Sequence, residues 1–303
     1  MTWALHKVQS VRDKFDPGGR IDISLVGGSH QIDSRALDFV RRFDFVTSVN
    51  MRPFEIHADG YHYHPTGCYN YIQDGWWEFE HERYCVLIPN AALERGIRLE
   101  QWLPQYAIDW SIFDHFRLTD DERAYGLKLR DTLRRYAVFY PGPLHGNTED
   151  GHNRNALWTP QEWVELGRRV RAMGLEVVTV GAPYDRSYYE LLLKPALNGD
   201  APWYNLIGAT NIGQLYSVTS NAQFVVSYQA GVGIVSALMG TPTAIWWRPQ
   251  GDSISPTVYL SFDERMNRCW ASPKMLESGS YFPMVYGKHG VESIMEWVKE
   301  HIC

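Results

Sequence analysis

The second half of the sequence repeats one pattern, in which a short apolar run leads into a loop and then into a segment with helical periodicity. The apolar runs that carry this pattern are residues 137–140, 176–180, 205–208, 224–227 and 243–247. Parallel strands cannot be joined by tight hairpins and need a crossover, usually a helix, so the alternation predicts a parallel sheet with helices on its faces. This half therefore predicts an α/β fold with a doubly wound sheet.

Local signals mark where two helices of the chain begin. Thr159 is followed by Pro160 and Glu162, which is the order of an N-cap, a first-turn proline and a capping-box glutamate. The helix that starts there is expected to end at Gly174. Another helix is expected after Thr119, because a run of acidic residues follows it and suits the positive end of a helix dipole.

The first half shows the same rhythm more weakly. A strand is predicted over residues 21–26, a helix over 34–43 and a strand over 45–49, which favours a second parallel sheet. A chain of 303 residues is long enough for two domains at ~150 residues each. We therefore expect one Rossmann-like domain over residues 1–136 and another over residues 137–303.

The charge and the cysteines argue against several classes of protein. A net charge of −6 is unlike the basic surplus of a dedicated nucleic-acid-binding protein. The first residues lack the apolar core of a signal peptide, and no run approaches the ~18 apolar residues of a membrane span. The four cysteines are far apart and form no Cys-x-x-Cys pair. We therefore expect a cytoplasmic protein with free thiols and no transmembrane segment.

The loop over residues 228–233 is the most informative candidate for a binding site. In open parallel sheets, ligands bind at the carboxyl ends of the strands, where helix N-termini present N–H groups. Gly231 and Gly233 open a helix of small residues, so their backbone could approach a diphosphate closely. A tight turn with close helix packing is the alternative explanation for the same glycines. The loop is not a Walker A sequence, because no Gly-Lys-Ser/Thr follows.

Motifs for metal or hydrolase chemistry are absent from the sequence. His57, His62, His64 and Asp59 match no common zinc spacing. The chain has no Asp-x-Asp cluster, no Gly-x-Ser-x-Gly elbow and no His-Glu-x-x-His helix. We therefore expect neither a bound metal nor a resident cofactor.

Several segments of the second half follow one another as in a known family. They are Phe-Tyr-Pro-Gly at 139–142, Trp-Thr-Pro-Gln-Glu-Trp-Val-Glu-Leu at 158–166, Val-Val-Thr-Val-Gly at 177–181 with Asp185 after it, Asn-Leu-Ile-Gly-Ala-Thr at 205–210, and the step from Gly231 to Gly240 before Thr-Pro-Thr. In this order they resemble the ADP-heptose:lipopolysaccharide heptosyltransferase family with its phage and bacterial relatives. The resemblance implies the GT-B architecture, in which two Rossmann-like parallel-sheet domains face a cleft.

By this resemblance, the second domain binds a nucleotide-diphosphate sugar, which is a co-substrate, and the first domain binds the acceptor. The residues that match the family's donor site, or stand nearest to it, are Gly142, Arg154, Trp158, Gly181, Asp185, Gly208, Thr210, Gln229 and Gly231. The acceptor would be a hydroxyl group of a glycan, a lipid-linked saccharide or a modified DNA base.

The donor motifs also depart from the family pattern. Gln229-Ala230 stands where the family has Asp followed by Ser or Thr, and Ile234 stands where it has His. The family's Lys before the first Trp is Ala156 here, and Arg154 is the nearest cation able to neutralise a diphosphate. A surface role for Arg154 in a polar loop is the alternative. These departures leave the sugar, and with it the nucleotide, open.

The start of the chain resembles the family only weakly. Residues 4–8 look like the helix that follows the family's Gly-Asp loop, so the family's first strand and its acidic loop would precede Met1. We therefore expect a first domain that lacks its first strand. His30 and Asp33 follow the first remaining strand and are the candidates for the catalytic base, with ordinary loop residues as the alternative.

The sequence thus predicts an inverting, metal-independent glycosyltransferase that moves a sugar from a nucleotide-diphosphate donor to a hydroxyl acceptor. One alternative is a phage-type glycosyltransferase that acts on a modified DNA base and needs a basic groove on its first domain. The other is a catalytically inactive nucleotide-sugar-binding module, which the missing loop and Gln229 favour. Turnover with a panel of donors separates the inactive module from both enzymes, and the oligomeric state stays open.

Overall fold

The structure is a computed structural model, and it divides into two compact units. The residues that it describes are 21–27, 34–53, 55–56, 62–63, 86–89, 110–142, 158–228, 230–247, 271–285 and 289–302. Described residues up to Arg117 belong to the first unit, and those from Leu118 on belong to the second.

The first unit contains the predicted strand, helix and strand. Its elements are β1 (Ile21–Gly27), α1 (Ser34–Arg41), β2 (Val46–Pro53), β3 (Glu55–Ile56), β4 (His62–Tyr63), β5 (Val86–Pro89) and a 3-10 helix (Trp110–His115). β1 pairs in parallel with β2, as an intervening helix requires. On its other side β1 pairs antiparallel with β5, so the described part of this sheet is mixed and not purely parallel as expected.

A six-stranded parallel sheet forms the second unit. Its strands are β6 (Tyr136–Tyr140), β7 (Glu176–Thr179), β8 (Tyr204–Asn205), β9 (Phe224–Tyr228), β10 (Thr243–Trp247) and β11 (Tyr281–Val285). The order across the sheet is β11-β10-β9-β6-β7-β8. The chain therefore winds outward from β6 in one direction, returns to the centre at β9 and winds outward in the other, which makes β6 and β9 the topological switch point. The predicted doubly wound sheet is confirmed, with β11 as a strand that the sequence did not reveal.

Helices connect these strands, and the two predicted helix starts are confirmed. The helices are α2 (Asp120–Leu133), α3 (Pro160–Ala172), α4 (Arg186–Tyr188), α5 (Lys194–Leu197), α6 (Ile212–Ser220), α7 (Gly231–Leu238), α8 (Pro273–Glu277) and α9 (Val291–His301). A 3-10 turn (Pro183–Asp185) precedes α4, and a π-helical turn (Tyr189–Leu193) joins α4 to α5. Thr119 and Thr159 each close a capping box at the start of α2 and α3.

The core of the second unit lies around the two central strands. Every residue of β6 and of β9 is buried, as expected for strands covered by helices on both faces. An aromatic cluster fills one side of this core and consists of Phe139, Trp158, Trp163, Trp203, Tyr228 and Trp246. Neighbouring rings in the cluster meet mostly edge to face, the geometry that aromatic pairs prefer.

Helix α2 belongs with the second unit by its packing. A methyl group added at Gly126 would lie 2.3 Å from Ser217 Oγ, so α2 and α6 approach each other closely. The contacts therefore group α2 with the second unit from Leu118 on, whereas the sequence prediction placed the boundary at residue 136. The predicted division into domains 1–136 and 137–303 stays a prediction.

Candidate functional site

The carboxyl ends of β6 and β9 lie next to each other and lead into two loops of the predicted donor site. Tyr140, the last residue of β6, pairs with Ser227 near the end of β9. β6 continues into Pro141 and Gly142, and α7 begins at Gly231 three residues after β9 ends. Strand order reverses here, which is the arrangement in which α/β sheets bind ligands in a crevice outside the strand ends.

Three of the predicted site residues meet around one buried carboxylate. Asp185 is 1% exposed, and its Oδ2 accepts a hydrogen bond from the Ala182 N–H at 2.8 Å. A Cβ added at Gly142 would lie 2.8 Å from Asp185 Oδ1, and one added at Gly181 would lie 2.8 Å from Oδ2. Glycine at these two positions therefore leaves room for the carboxylate, which lies beside the segments that follow β6 and β7. The role of Asp185 as a donor contact stays a prediction.

Gly208 is fixed against the same group of loops. Its φ of +66° lies in the left-handed region, which glycine adopts without the strain that a side chain would bring. Its N–H donates to the Gly181 carbonyl at 2.9 Å. Arg186 Nη2 donates to the Gly208 carbonyl at 3.0 Å, and Arg186 Nε donates to the Ile207 carbonyl at 3.3 Å. Arg186 was not among the predicted site residues, and its place directly after Asp185 on a site loop was the available signal.

Side chains occupy the N-terminal ends of the helical segments that follow β6, β7 and β8. In each of them a side chain accepts a hydrogen bond from the backbone N–H of the N-cap residue. The three pairs are Glu162 with Thr159 at 2.6 Å, Asp185 with Ala182 at 2.8 Å, and Gln214 with Asn211 at 3.0 Å. These helix ends are therefore already provided with acceptors from the protein itself.

Helix α7, which follows β9, differs from the other three. Its N-cap residue is Ala230, which has extended backbone angles but makes no side-chain hydrogen bond to the helix. Gly231 is exposed, and apart from its chain neighbours and the backbone of its own helix, no atom of the described residues lies within 4 Å of a Cβ added there. At Gly233, in contrast, an added Cβ would lie 2.8 Å from the Ser227 Cβ. The two explanations given for these glycines, helix packing and access for a diphosphate, therefore each fit one of them. Gly233 permits close packing on β9, and Gly231 faces open space.

The predicted donor residue Trp158 lies in the aromatic cluster. It is 5% exposed, and its ring centroid lies 5.2 Å from that of Trp163 and 5.1 Å from that of Trp246. Beside it, the buried Tyr228 hydroxyl accepts from Trp163 Nε1 at 3.0 Å and donates to the Trp158 carbonyl at 3.3 Å. Burial raises the pKa of Tyr228 well above its ordinary value, so the hydroxyl stays protonated. Contact between Trp158 and a donor stays a prediction.

Of the remaining five predicted residues, the structure describes one. Thr210 is partly exposed and directly precedes Asn211, the N-cap of α6. His30, Asp33, Arg154 and Gln229 lie outside the described residues, so their roles stay predictions.

The described part of the chain shows neither a metal-binding group of side chains nor a helix that could cross a membrane. It contains no group of three or more His, Cys, Asp and Glu side chains that could hold a metal ion. No helix in the described segments is long and apolar enough to cross a membrane.

The comparisons with known proteins agree with this fold. The model of glycosyltransferase family 9 (heptosyltransferase) matches residues 76–248. No curated protein sequence matches the chain. The ADP-heptose LPS heptosyltransferase II of E. coli is similar in structure, with a TM-score of 0.60 at 14% identity, covering 100% of this chain and 95% of that one. A glycosyl transferase family 9 protein of Veillonella parvula has a TM-score of 0.58 at 10% identity, covering 99% and 94%.

At such low identity the two structures show a shared fold, and they confirm the predicted GT-B architecture. The family model carries the identity, because it matches more than half of the chain, including β6 to β10. The chain belongs to glycosyltransferase family 9, the heptosyltransferase family, and is a glycosyltransferase.

Proposed function

We propose that the enzyme transfers a sugar from a nucleoside-diphosphate donor to a hydroxyl acceptor with inversion, and that the donor's diphosphate binds at the N-terminus of α7. One observation carries the site: of the helical segments that follow β6 to β9, only the one after β9 begins without a capping side chain from the described residues. Its N–H groups and the positive end of its dipole are directed to the switch point, where a phosphate oxygen could accept from them.

Gly231 supports the same location for the diphosphate. A backbone without a side chain lets a phosphate oxygen come within hydrogen-bonding distance of the N–H groups in the first turn. Gly231 is exposed, and Tyr216 donates to its carbonyl at 3.4 Å on the side away from those N–H groups. The open position at the start of α7 thus fits an anion that approaches from solvent.

The nucleoside would extend from α7 toward the loops after β6, β7 and β8. There Gly142 and Gly181 keep the backbone close around Asp185, and Gly208 lies against Pro183 and Arg186, which holds it in place. The similar E. coli protein is named for ADP-heptose, which is a nucleoside diphosphate linked to a sugar. A nucleoside diphosphate sugar is therefore the donor class that we propose, with Thr210 and Gln229 as further contacts.

The proposed reaction is a single displacement at the anomeric carbon. The acceptor hydroxyl oxygen bonds to that carbon while the bond to the diphosphate oxygen breaks, and the hydroxyl proton passes to a base. His30 and Asp33 are our candidates for the base. The N-terminus of α7 and Arg154 would stabilise the charge that develops on the departing nucleoside diphosphate. One displacement inverts the anomeric configuration.

Donor binding and product stereochemistry together test the proposal. A panel of nucleoside diphosphate sugars is first screened by melting temperature, since a ligand at ~100 times its Kd stabilises the folded protein by about 2.7 kcal/mol. The donors that bind are then supplied with glycan, lipid-linked saccharide and modified-DNA acceptors, and the product anomer is assigned by NMR. Inverted product is expected. Retained configuration would contradict the single displacement, and donor binding without any turnover would favour an inactive module.

A further inference from the structure

The Tyr228 hydroxyl makes a bond across the topological switch point. Tyr228 is the last residue of β9, and its hydroxyl donates to the carbonyl of Trp158, the residue before the N-cap of α3. α3 belongs to the connection that leaves β6, while α7 belongs to the connection that leaves β9. One buried hydroxyl thus joins the two chain segments that border the crevice.

The surroundings of Tyr228 allow this hydroxyl little freedom. Its residue is 2% exposed, its ring meets Trp163 edge to face at 5.6 Å, and Trp163 Nε1 donates to the hydroxyl oxygen at 3.0 Å. The hydroxyl therefore acts as acceptor and donor at once, and both partners are buried beside it. Removing the hydroxyl would leave a buried indole N–H and a buried carbonyl without this hydrogen-bond partner. Because unpaired buried polar groups are costly, the surrounding segments would shift until these groups find new partners.

We infer that Tyr228 is a positioning residue for the donor site. Its hydroxyl fixes the end of β9 against the start of α3, and α7 begins three residues farther along the chain. A shift of β9 would move the Gly231 end of α7 relative to the Gly142 loop, and displacements of ~1 Å in a binding site are costly. The inference rests on the proposed diphosphate site at α7.

Tyr136 offers a matched control at the other end of the sheet. It is the first residue of β6 and is fully buried, and its hydroxyl donates to the Val218 carbonyl at 2.7 Å. Tyr136→Phe and Tyr228→Phe therefore remove the same kind of bond from the same sheet. They differ in position, since Tyr136 lies at the amino-terminal ends of the parallel strands and Tyr228 lies at their carboxyl-terminal ends, where ligands bind.

The experiment is calorimetric titration of the full chain and both variants with ADP and with UDP, followed by steady-state kinetics with a donor that turns over. Both variants should melt at lower temperatures than the wild type. Only Tyr228→Phe should weaken nucleotide binding, by about tenfold, with a matching rise in the donor KM and kcat within about threefold of the wild type. Affinity in Tyr228→Phe equal to that in Tyr136→Phe would overturn the inference. A wild-type protein that binds neither these nucleotides nor any donor of the panel would instead overturn the proposed site.

Discussion

At the scale of single residues, glycines that the sequence places in similar loops have different neighbours in the structure. Gly142 and Gly181 were predicted as donor contacts by the resemblance to the heptosyltransferase family, and the structure adds that both border the Asp185 carboxylate. The contact between Gly142 and Asp185 joins residues far apart in sequence, so no local pattern could have shown it. The sequence could reveal that these residues meet at the carboxyl ends of the strands, because the strand ends follow from the strand pattern.

The two glycines of α7 allow a prediction with a built-in control. Gly231→Val should leave the fold mostly intact, because its Cβ would project into open space among the described residues, but it should weaken donor binding by blocking the backbone N–H groups. Gly233→Ala should instead lower stability by roughly 1–3 kcal/mol, because its Cβ would overlap Ser227.

Thermal unfolding and calorimetric titration of the two variants check this prediction. Gly231→Val with wild-type affinity for nucleoside diphosphate would remove the start of α7 from the site. Gly233→Ala with wild-type stability would show that β9 and α7 can separate without cost.

Arg154 was singled out as the nearest cation to the family's lysine position. A cation there would favour the leaving diphosphate more in the transition state than in the ground state, so Arg154→Ala should lower turnover by about 10²-fold or more. Arg154→Lys should recover only part of the rate, because a bidentate guanidinium becomes a point charge. Steady-state kinetics of both variants decide, and a wild-type rate for Arg154→Ala would leave Arg154 as a surface residue.

At the scale of elements, the starts of helices were predictable and some other features were not. The capping boxes of α2 and α3 were readable because all their groups lie within four residues of one another. β11 was missed because it contains Pro283, which argues against a strand but is tolerated at the edge of a sheet, where β11 lies. Helix α7 is the opposite of α2 and α3, because its informative feature is that the sequence supplies no capping side chain at its start.

Providing α7 with a cap should separate stability from binding. Ala230 already has the extended backbone of an N-cap residue, so Ala230→Asp should stabilise the fold by about 0.5–2 kcal/mol. Its carboxylate would occupy the N–H groups and repel a diphosphate, so affinity for nucleoside diphosphate should fall by more than about tenfold. Ala230→Asn is the matched neutral cap and should lose less affinity than Ala230→Asp.

Melting temperatures and titrations of both variants test this pair. If Ala230→Asp stabilises the protein and still binds the nucleotide as the wild type does, the diphosphate lies elsewhere.

At the scale of the whole molecule, the sequence predicted the kind of sheet but not the order of its strands. Alternating strands and helices specify parallel pairing, and parallel pairing requires a crossover connection between consecutive strands. The return from β8 to the centre, where β9 joins β6, is a contact between segments far apart in the chain. Helix periodicity carries no information about it, so the switch point became visible only in the folded chain.

The activity of the whole enzyme should not depend on a divalent metal. The sequence has no Asp-x-Asp cluster, and the proposed site uses N–H groups and arginine as its positive partners for the diphosphate. EDTA should therefore leave turnover unchanged once a productive donor is known. Loss of turnover on chelation, with recovery on addition of manganese, would show that a metal ion performs this task.

The central pairing of β6 with β9 also has a consequence for how the chain is made. β6 is among the first parts of the second unit to be synthesised, but its central neighbour ends only at Tyr228. At ~5–20 residues per second, a ribosome needs on the order of ten seconds to complete the intervening stretch. During that time one edge of a wholly apolar strand has no neighbour, and such edges attract other chains. Chaperones that cover nascent apolar strands should therefore matter more for this protein than for one whose sheet is built from hairpins.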